Sequence, residues 1–360
     1  MSTTRLLVNR SNIAETMIEV QESAPLQDGQ IRLRIEKVAL TANNISYAAT
    51  GEMLQYWRFF PAEAPWGCVP AWGFALVTES LAEGVEVGEK LWGFLPMASE
   101  LLMEPVKVTG FGFTDGVAHR RALPHIYNEY TRCRMDPMHT EGQEDVEAIL
   151  RPLFATGWLV DDFLEDNNFF DAKTVILSSA SSKTAYGTAT QLARRKDLQI
   201  VGLTASKNMA FVKGLGCYTQ VVSYDALDQL DAGAACVYLD YAGDAELRRK
   251  LHTLLGNMTY SSSIGASHVD KMGGSSGLPG PKPTFMFVPT QAAKRVAQWG
   301  IAGLMERMTR DWEAFASRAT DAKQPWLMVQ HHAGEKAVQA AYALVLAGKG
   351  DPRTGHMLSL

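Results

Sequence analysis

Residues 176–195, ILSSASSKTAYGTATQLARR, decide the fold of this chain. They begin in a short apolar run, TVILSS (174–179), of the kind typical of a strand buried on both faces. The following TAYGTATQLARR has the composition of a helix. A bend of small polar residues between a strand and a helix is where many α/β proteins bind a phosphate. Here serines, a lysine and a threonine stand where glycines are usual, so a nucleotide site and a plain polar turn both remain open.

The segments around this stretch predict two kinds of structure. Upstream, QIRLRIEKVAL, GFALVTES and EKLWGFLP alternate apolar and polar residues, as half-buried strands do. Downstream, LQIVGLTAS, TQVVSY and ACVYLDYAG are buried-type strands separated by helices such as MAFVKGLG, which indicates βαβ units and a parallel sheet. TFMFVP is predicted as a late strand, followed by a helix from about 291 to 319. We expect a β-rich domain over 1–150 and 296–360, and a parallel α/β domain over 151–295.

Composition excludes several classes of protein. The 360 residues are 46% hydrophobic and 20% charged, with a formal net charge of -5, which is typical of a globular protein and argues against a general nucleic-acid surface. No apolar run is long enough to cross a bilayer. The four cysteines lie far apart without a C-x-x-C pair, so we expect neither structural zinc nor a disulfide framework. The first residues lack the apolar core of a signal peptide, and we expect a reducing cytoplasm.

The order of these signals resembles the medium-chain dehydrogenase/reductase superfamily, especially its zinc-free quinone-reductase and enoyl-reductase branches. The resemblance rests on PLQDGQIRLRIEKVALTANN, VPAWGFALVTESLAEGVEVGEKLWGFLP, LFATGWLVDDFL and AVQAAYALVLAGKGDPRTGHMLSL, which together span nearly the whole chain. It implies a Rossmann cofactor domain with a parallel sheet and a β-rich, GroES-like substrate domain.

Two departures from that superfamily carry predictions. Its zinc-using members place a cysteine early and a G-H-E motif later, whereas this chain reads LTANNISY and WGFALV there, so we predict no metal site. The segments GVAHRRALPHIYNEYTRCRMDPMHTEGQEDVEA and HVDKMGGSSGLPGPKPTFMFVP match nothing in the superfamily. The chain is therefore interpreted as a divergent branch.

The bend is predicted to bind a dinucleotide through small residues and hydroxyls that allow the backbone to approach a pyrophosphate. The second strand ends in LTASKNMAF, which places Ser206 and Lys207 where such folds meet the adenosine ribose. A serine and a lysine suit a 2′-phosphate, whereas an acidic residue would suit a free 2′-hydroxyl, so the sequence favours NADP over NAD. The alternative is a surface turn that happens to hold a lysine. The predicted cofactor residues are Ser179, Ala180, Ser181, Ser182, Lys183, Thr184, Ser206, Lys207, Tyr241 and Gly265.

Four side chains are candidates for the chemistry. Tyr47 could act as an acid and Asn44 as a hydrogen-bond donor, because both lie just after an early strand, near the position where the superfamily lines its cleft. Tyr127 stands in the polar aromatic run HIYNEYTR, and His268 follows a late strand. For each, a purely structural role is the alternative: an aromatic packed at the domain seam, an external insert, or a structural histidine.

Together these features predict a zinc-independent, NADPH-dependent oxidoreductase that reduces an activated alkene or carbonyl of a moderately apolar small molecule. The alternatives left open are a non-catalytic NADP-binding protein and a lyase or isomerase that retains bound dinucleotide. The resemblance further implies a homodimer formed through TFMFVP, and we expect no nucleic-acid or membrane partner.

Overall fold

The computed structural model describes residues 2–264, 277–286 and 288–360. In chain order the strands are β1 (Ser2–Asn9), β2 (Thr16–Glu22), β3 (Ile31–Leu40), β4 (Trp66–Gly67), β5 (Pro70–Ser80), β6 (Lys90–Pro96), β7 (Glu100–Met103), β8 (Pro105–Val106), β9 (Gly112–Asp115), β10 (Glu129–Arg132), β11 (Thr174–Leu177), β12 (Gln199–Thr204), β13 (Gln220–Ser223), β14 (Cys236–Asp240), β15 (Met258–Ser263), β16 (Thr284–Phe285), β17 (Met328–Ala333) and β18 (Thr354–Ser359). The helices are α1 (Ala42–Ala49), α2 (Glu144–Asp166), α3 (Lys183–Leu192), α4 (Met209–Leu215), α5 (Ala245–Leu254), α6 (Val288–Ala319) and α7 (Glu335–Leu346). Within the described residues, no helix combines the length and apolar character needed to cross a membrane.

The chain divides into two compact units. The first comprises Met1–Ile149 with Leu327–Leu360, and the second comprises Leu150–Trp326. The second unit therefore continues past 295, where the sequence placed a domain boundary. Helix α6 has a kink at Gly300, but its part beyond the kink still packs within the second unit: Trp312 and Phe315 lie on Phe154 of α2, with ring centroids 5.4 and 5.1 Å apart.

The first unit is β-rich, as its alternating segments predicted. Its larger sheet has the order β17-β18-β3-β5-β6-β10-β9-β8, with β7 also paired to β3, and a smaller sheet has the order β2-β1-β4. The pairs are antiparallel except β17 with β18. Strands β3 and β5 approach closely at Gly73, where an added Cβ would lie 2.2 Å from the carbonyl oxygen of Lys37. Glycine is therefore required at that crossing.

The second unit contains the predicted parallel sheet. Its order is β13-β12-β11-β14-β15-β16, and each neighbouring pair is parallel. The strand order reverses beside β11, and in open α/β sheets ligands bind outside the carboxyl ends of the strands at such a point. The fold thus places the 178–182 bend at the expected binding edge. Of the predicted strand TFMFVP, Thr284–Phe285 is extended, and α6 begins at Val288.

A left-handed turn, Asn168–Asp171, connects α2 to β11. Its four residues have φ of 48°, 50°, 52° and 59°, a conformation that costs L-residues roughly 1–2 kcal/mol each. Two contacts offset this cost. The Phe170 ring stacks on Tyr260 with centroids 4.0 Å apart, and the Asn168 amide donates to Asp171 at 2.8 Å.

All four cysteines of the chain are buried, and none forms a disulfide. Burial raises the pKa of Cys68 to about 11, of Cys217 to about 12 and of Cys236 to about 11. These three thiols therefore stay protonated at neutral pH.

Candidate functional site

The bend between β11 and α3 holds no glycine, yet one of its residues adopts a left-handed backbone conformation. Ser179 has a φ of 49°, in the left-handed region that glycine occupies at least cost. Ser182 caps α3, and its hydroxyl accepts a hydrogen bond from the Ala185 N–H at 3.3 Å. The sequence suggested the loop from its small residues but gave no sign that a serine would adopt the left-handed conformation.

The start of α3 leaves donors available. Neither the Ser181 N–H nor the Thr184 N–H has a hydrogen-bond partner among the described residues. Lys183, the half-buried first residue of the helix, lies between them. Free N–H groups at the positive end of a helix dipole form a ready site for an anionic oxygen.

A buried carboxylate supports this loop from below. Asp240, at the end of β14, accepts hydrogen bonds from the Ser178 hydroxyl at 2.9 Å and from Arg248 Nε at 2.8 Å. It also accepts from the N–H groups of Ala242 and Gly243, at 3.1 and 2.9 Å. Asp240 therefore ties the loops after β11 and β14 into one rigid edge. An aspartate directly after the buried run VYL was the signal in the sequence, and it was missed.

Two residues assigned to the cofactor have another role in this structure. Ala180 is fully buried, its N–H donates to the Leu203 carbonyl and its carbonyl accepts from the Tyr218 hydroxyl, both at 2.9 Å. Tyr241 is also buried, its hydroxyl bonds to Thr188 at 2.5 Å, and burial raises its pKa. Both side chains shape the edge from inside the unit, and neither presents a polar group of its own at the surface.

The end of β12 carries the exposed pair Ser206 and Lys207, as predicted. The structure adds a carboxylate that the sequence did not reveal. Asp225, which follows β13, accepts a hydrogen bond from the Ser206 hydroxyl at 2.7 Å. Tyr224, its neighbour, accepts from the Ser179 N–H at 2.8 Å and so connects this corner to the loop. Gly265 and His268 lie outside the described residues.

In the first unit, α1 positions two of the predicted catalytic residues. Asn44 closes a capping box at its start: its side-chain oxygen accepts from the Thr41 N–H at 2.8 Å, and its amide donates to the Pro70 carbonyl at 2.9 Å. With 4% of its surface exposed, Asn44 fixes the helix to β5. Tyr47 follows one turn later on the same helix.

Tyr47 has a hydroxyl that accepts hydrogen bonds. Asn43 donates to it at 2.7 Å, and Trp72 also bonds to it. Burial, and then the nearby Tyr127, raise the pKa of Tyr47 well above 10.0, although the bonds from Trp72 and Asn43 oppose this. Tyr47 therefore remains protonated, and its own O–H has no acceptor among the described residues. Such a group is a hydrogen-bond donor rather than a strong acid.

Tyr127 joins the same aromatic group through Tyr56. The ring centroids of Tyr47 and Tyr56 are 4.2 Å apart, and those of Tyr56 and Tyr127 are 6.2 Å apart. A hydrogen bond links the hydroxyls of Tyr56 and Tyr127, and burial raises the pKa of both. The structure thus brings together Tyr47 and Tyr127, which are separate in sequence.

A buried arginine holds Tyr127 in place. Arg120 is 1% exposed, pairs with Asp115 at 2.9 Å and donates to the Tyr127 carbonyl at 2.8 Å. It also donates to the Asn128 side chain at 2.9 Å. Burial raises the pKa of Asp115, while the charge of Arg120 opposes the rise. A buried ion pair between Arg120 and Asp115, the residue just before the segment that matched nothing in sequence, therefore fixes this part of it, and sequence reasoning did not anticipate the pair.

Binding of a metal ion needs several His, Cys, Asp or Glu side chains close together. Within residues 2–264, 277–286 and 288–360, no group of three or more His, Cys, Asp or Glu side chains is placed to hold a metal ion.

The parallel sheet of the second unit and the β-rich first unit form the fold that the resemblance in the sequence implied, and solved oxidoreductase structures share this fold. CurA from Vibrio vulnificus is similar in structure, with a TM-score of 0.55, 13% identity, and coverage of 100% of this chain and 99% of that one. The quinone oxidoreductase from Coxiella burnetii has a TM-score of 0.53 and 12% identity, with both chains fully covered. The yhdH oxidoreductase from Salmonella enterica, determined in complex with NADP, has a TM-score of 0.54 and 14% identity, again with both chains fully covered.

At these identities the likeness extends to the fold alone. The chain belongs to the family described as "Protein of unknown function (DUF2855)", whose profile matches residues 38–351. No curated protein is similar to it in sequence.

Proposed function

We propose that the second unit binds NADPH and that the protein reduces an activated alkene or carbonyl of a moderately apolar small molecule, without zinc. The observation that carries this proposal lies at the N-terminus of α3, beside a left-handed Ser179: the N–H groups of Ser181 and Thr184 have no partner within residues 2–264, 277–286 and 288–360. The occurrence of NADP on the same fold in the Salmonella enterica oxidoreductase supports it.

The residues fit such a dinucleotide. The N–H groups of Ser181 and Thr184, with the half-buried Lys183, would hold the pyrophosphate. Lys207 and the Ser206 hydroxyl would hold the 2′-phosphate. Asp225 is the competing feature, because a carboxylate bonded to Ser206 favours a free 2′-hydroxyl and repels a phosphate.

Two substitutions test whether the group formed by Ser206, Lys207 and Asp225 prefers NADPH or NADH. We expect Lys207→Ala to weaken NADPH by about tenfold or more and to leave NADH nearly unchanged, because a charge-assisted contact contributes about 1.5–3 kcal/mol. Asp225→Asn should tighten NADPH, since it removes a negative charge beside the phosphate. Calorimetric titration of both coenzymes measures these changes. An equal loss for NADPH and NADH in Lys207→Ala would refute the 2′-phosphate assignment, and a loss of NADH binding in Asp225→Asn would indicate an NAD site.

Reduced nicotinamide supplies a hydride when bound. The contribution of the first unit is proposed to be electrostatic. The Tyr47 hydroxyl, oriented by the hydrogen bonds from Asn43 and Trp72, would donate a hydrogen bond to the oxygen of the substrate, and water would supply the proton that completes the reduction. A fixed donor of this kind stabilises negative charge as it develops on that oxygen. Because its pKa is raised, Tyr47 would act by hydrogen bonding and not by full proton release.

We expect Tyr47→Phe to lower kcat by about 100-fold or more while NADPH affinity stays constant. Tyr342→Phe is a matched control in the same unit, because the buried Tyr342 hydroxyl has no hydrogen-bond partner in the part of the chain that the structure describes. The assay follows A340 with a panel of enals and quinones. Tight NADPH binding without turnover on the whole panel would favour the non-catalytic binding protein, and full activity in Tyr47→Phe would remove Tyr47 from the mechanism.

We further propose that two copies pair through β16. This strand ends the parallel sheet, both of its residues are exposed, and the Phe285 side chain is 60% exposed. The outer side of a strand at a sheet edge is a template for pairing with another chain. Sedimentation velocity, which gives the mass in solution, tests the proposal, and a monomer at all concentrations would contradict it.

A further inference from the structure

The second unit contains a pocket of about 480 Å³ formed by residues of α2, α6 and the segment that follows α3. Its aromatic walls are Trp158 and Trp299, whose ring centroids lie 6.3 Å apart at 83°. Arg194 lines it just beyond the last turn of α3, whereas the phosphate loop precedes the first turn. The ten residues of α3 span about 15 Å, so the pocket is separate from the loop.

The carboxylates of this pocket are already neutralised by neighbouring cations. Asp161 and Glu165 share Arg195, with oxygen–nitrogen distances of 2.9 and 2.8 Å. Asp162 and Asp166 share Arg295, at 2.7 and 3.2 Å, and Asp166 also pairs with Lys294. These groups hold the helices together and leave little negative charge for a ligand.

Three other arginines that line the pocket have fewer ion-pair partners. Arg307 is exposed and makes no ion pair within the described part of the chain, and its guanidinium lies 4.7 Å from the Trp299 ring centroid. Arg194 and Arg310, with side chains 53% and 69% exposed, share one carboxylate, Asp311. Asp311 also accepts from the Trp158 indole at 2.8 Å. These three positively charged side chains are therefore accompanied by one negatively charged carboxylate, that of Asp311.

The arginine and tryptophan side chains of the pocket suit a ligand that carries both a phosphate and a flat ring. Guanidinium groups bind phosphate through paired N–H donors, and indole faces bind flat rings. The volume lies within the range of small-molecule sites. In addition, the strained Asn168–Asp171 turn adjoins the pocket, because Arg195 lies 5.1 Å from the Phe169 ring centroid. Strained backbone is commonly retained beside functional sites.

We propose that this pocket is a second ligand site, independent of the dinucleotide loop, for an aromatic phosphate monoester. The phosphate is bound by Arg194, Arg307 and Arg310, and the ring lies beside the half-buried Trp299, because Trp158 is only 8% exposed. The site requires neither NADPH nor turnover.

Phenyl phosphate is the probe, titrated calorimetrically into the full chain at neutral pH, with inorganic phosphate and phenol as its two halves. We expect phenyl phosphate to bind more tightly than either half. The double variant Arg307→Ala/Arg310→Ala should weaken it by about tenfold or more, because both side chains are exposed donors to the phosphate. Arg249→Ala, a charge loss on the exposed face of α5, should have no effect, and Lys207→Ala should impair NADPH alone.

The proposal is overturned if phenyl phosphate does not bind, or if the double variant binds it as wild type does. Either result would mean that the charges only join the helices. Should the double variant fail to fold, Arg307→Lys keeps the charge but loses the paired donors, and an unchanged affinity there would also overturn the proposal. Because NADPH is titrated separately, loss of coenzyme binding and loss of phenyl phosphate binding are distinguishable.

Discussion

The two ends of α3 use charge in opposite ways. At its N-terminus the loop presents backbone N–H groups and hydroxyls, and the charged pair beneath it, Asp240 with Arg248, is buried. Beyond its C-terminus, Arg194 and Arg195 pair with carboxylates that line an open pocket. The buried pair holds the loop in one conformation, whereas the more exposed pairs at the pocket remain in contact with solvent. The comparison therefore predicts different sensitivities to substitution and to pH at the two ends.

The largest difference should appear when one carboxylate is removed from each end. Asp240→Ala removes the buried carboxylate that pairs with the buried Arg248 and accepts from Ser178, and it is expected to reduce the free energy of unfolding by about 3–5 kcal/mol. Asp161→Ala should cost less, because Arg195 is 26% exposed and keeps Glu165. Urea denaturation of both variants measures the difference. Equal losses would show that the two ends do not differ in the way that the structure indicates.

The two ends of α3 should also differ, by a smaller amount, in how their contribution to stability depends on pH. The hydrogen bond from Arg195 lowers the pKa of Glu165, and although burial raises the pKa of Asp311, bonds from Arg194 and Trp158 lower it overall. Both groups bind fewer protons in the folded state than in the unfolded state near pH 4, so they stabilise the fold above that range. As pH falls from about 5 to 3, their combined contribution of about 1 kcal/mol should be lost.

The measurement is urea unfolding at several pH values in wild type and in the double variant Glu165→Gln/Asp311→Asn. The variant should lose less stability on acidification than wild type does. An identical pH dependence in the two proteins would show that these carboxylates are not coupled to their arginines.

The smallest effect concerns the loop itself. Ser179→Gly should raise the free energy of unfolding by about 0.5 kcal/mol, because the relief of the left-handed strain exceeds the added flexibility of glycine. Ser181→Gly is the control at a position with no positive φ, and it should lose stability. Thermal unfolding followed by circular dichroism detects both changes. A loss of stability in Ser179→Gly would mean that the serine side chain contributes more than the strain costs.

Local pattern was sufficient to predict the strands and helices around this site. The buried run TVIL, the following helix and the glycine that ends α4 at Gly216 are recognisable within a few residues, because each depends on short-range geometry. The parallel order of the sheet followed from the alternation of strands and helices. These predictions are confirmed.

Features that join distant segments could not be predicted. Asp225 reaches Ser206 only because β12 and β13 are neighbours in the sheet, and this places a carboxylate where a basic corner was expected. Arg120 stabilises Tyr127 from within a segment that matched no known pattern. Asn44, which stays predicted as a donor to substrate, also caps α1, with its oxygen accepting from Thr41 and its amide donating to the Pro70 carbonyl. In each case the partner lies on another element, and no local pattern indicates the pairing.

The buried cysteines have a consequence for a protein proposed to handle activated alkenes. Enals and quinones are electrophiles that alkylate thiolates, and a thiol that stays protonated is a poor nucleophile toward them. Cys68, Cys217 and Cys236 are inaccessible and carry raised pKa values, and Cys133 is also buried. The cysteines of the folded chain should therefore resist alkylation by such compounds.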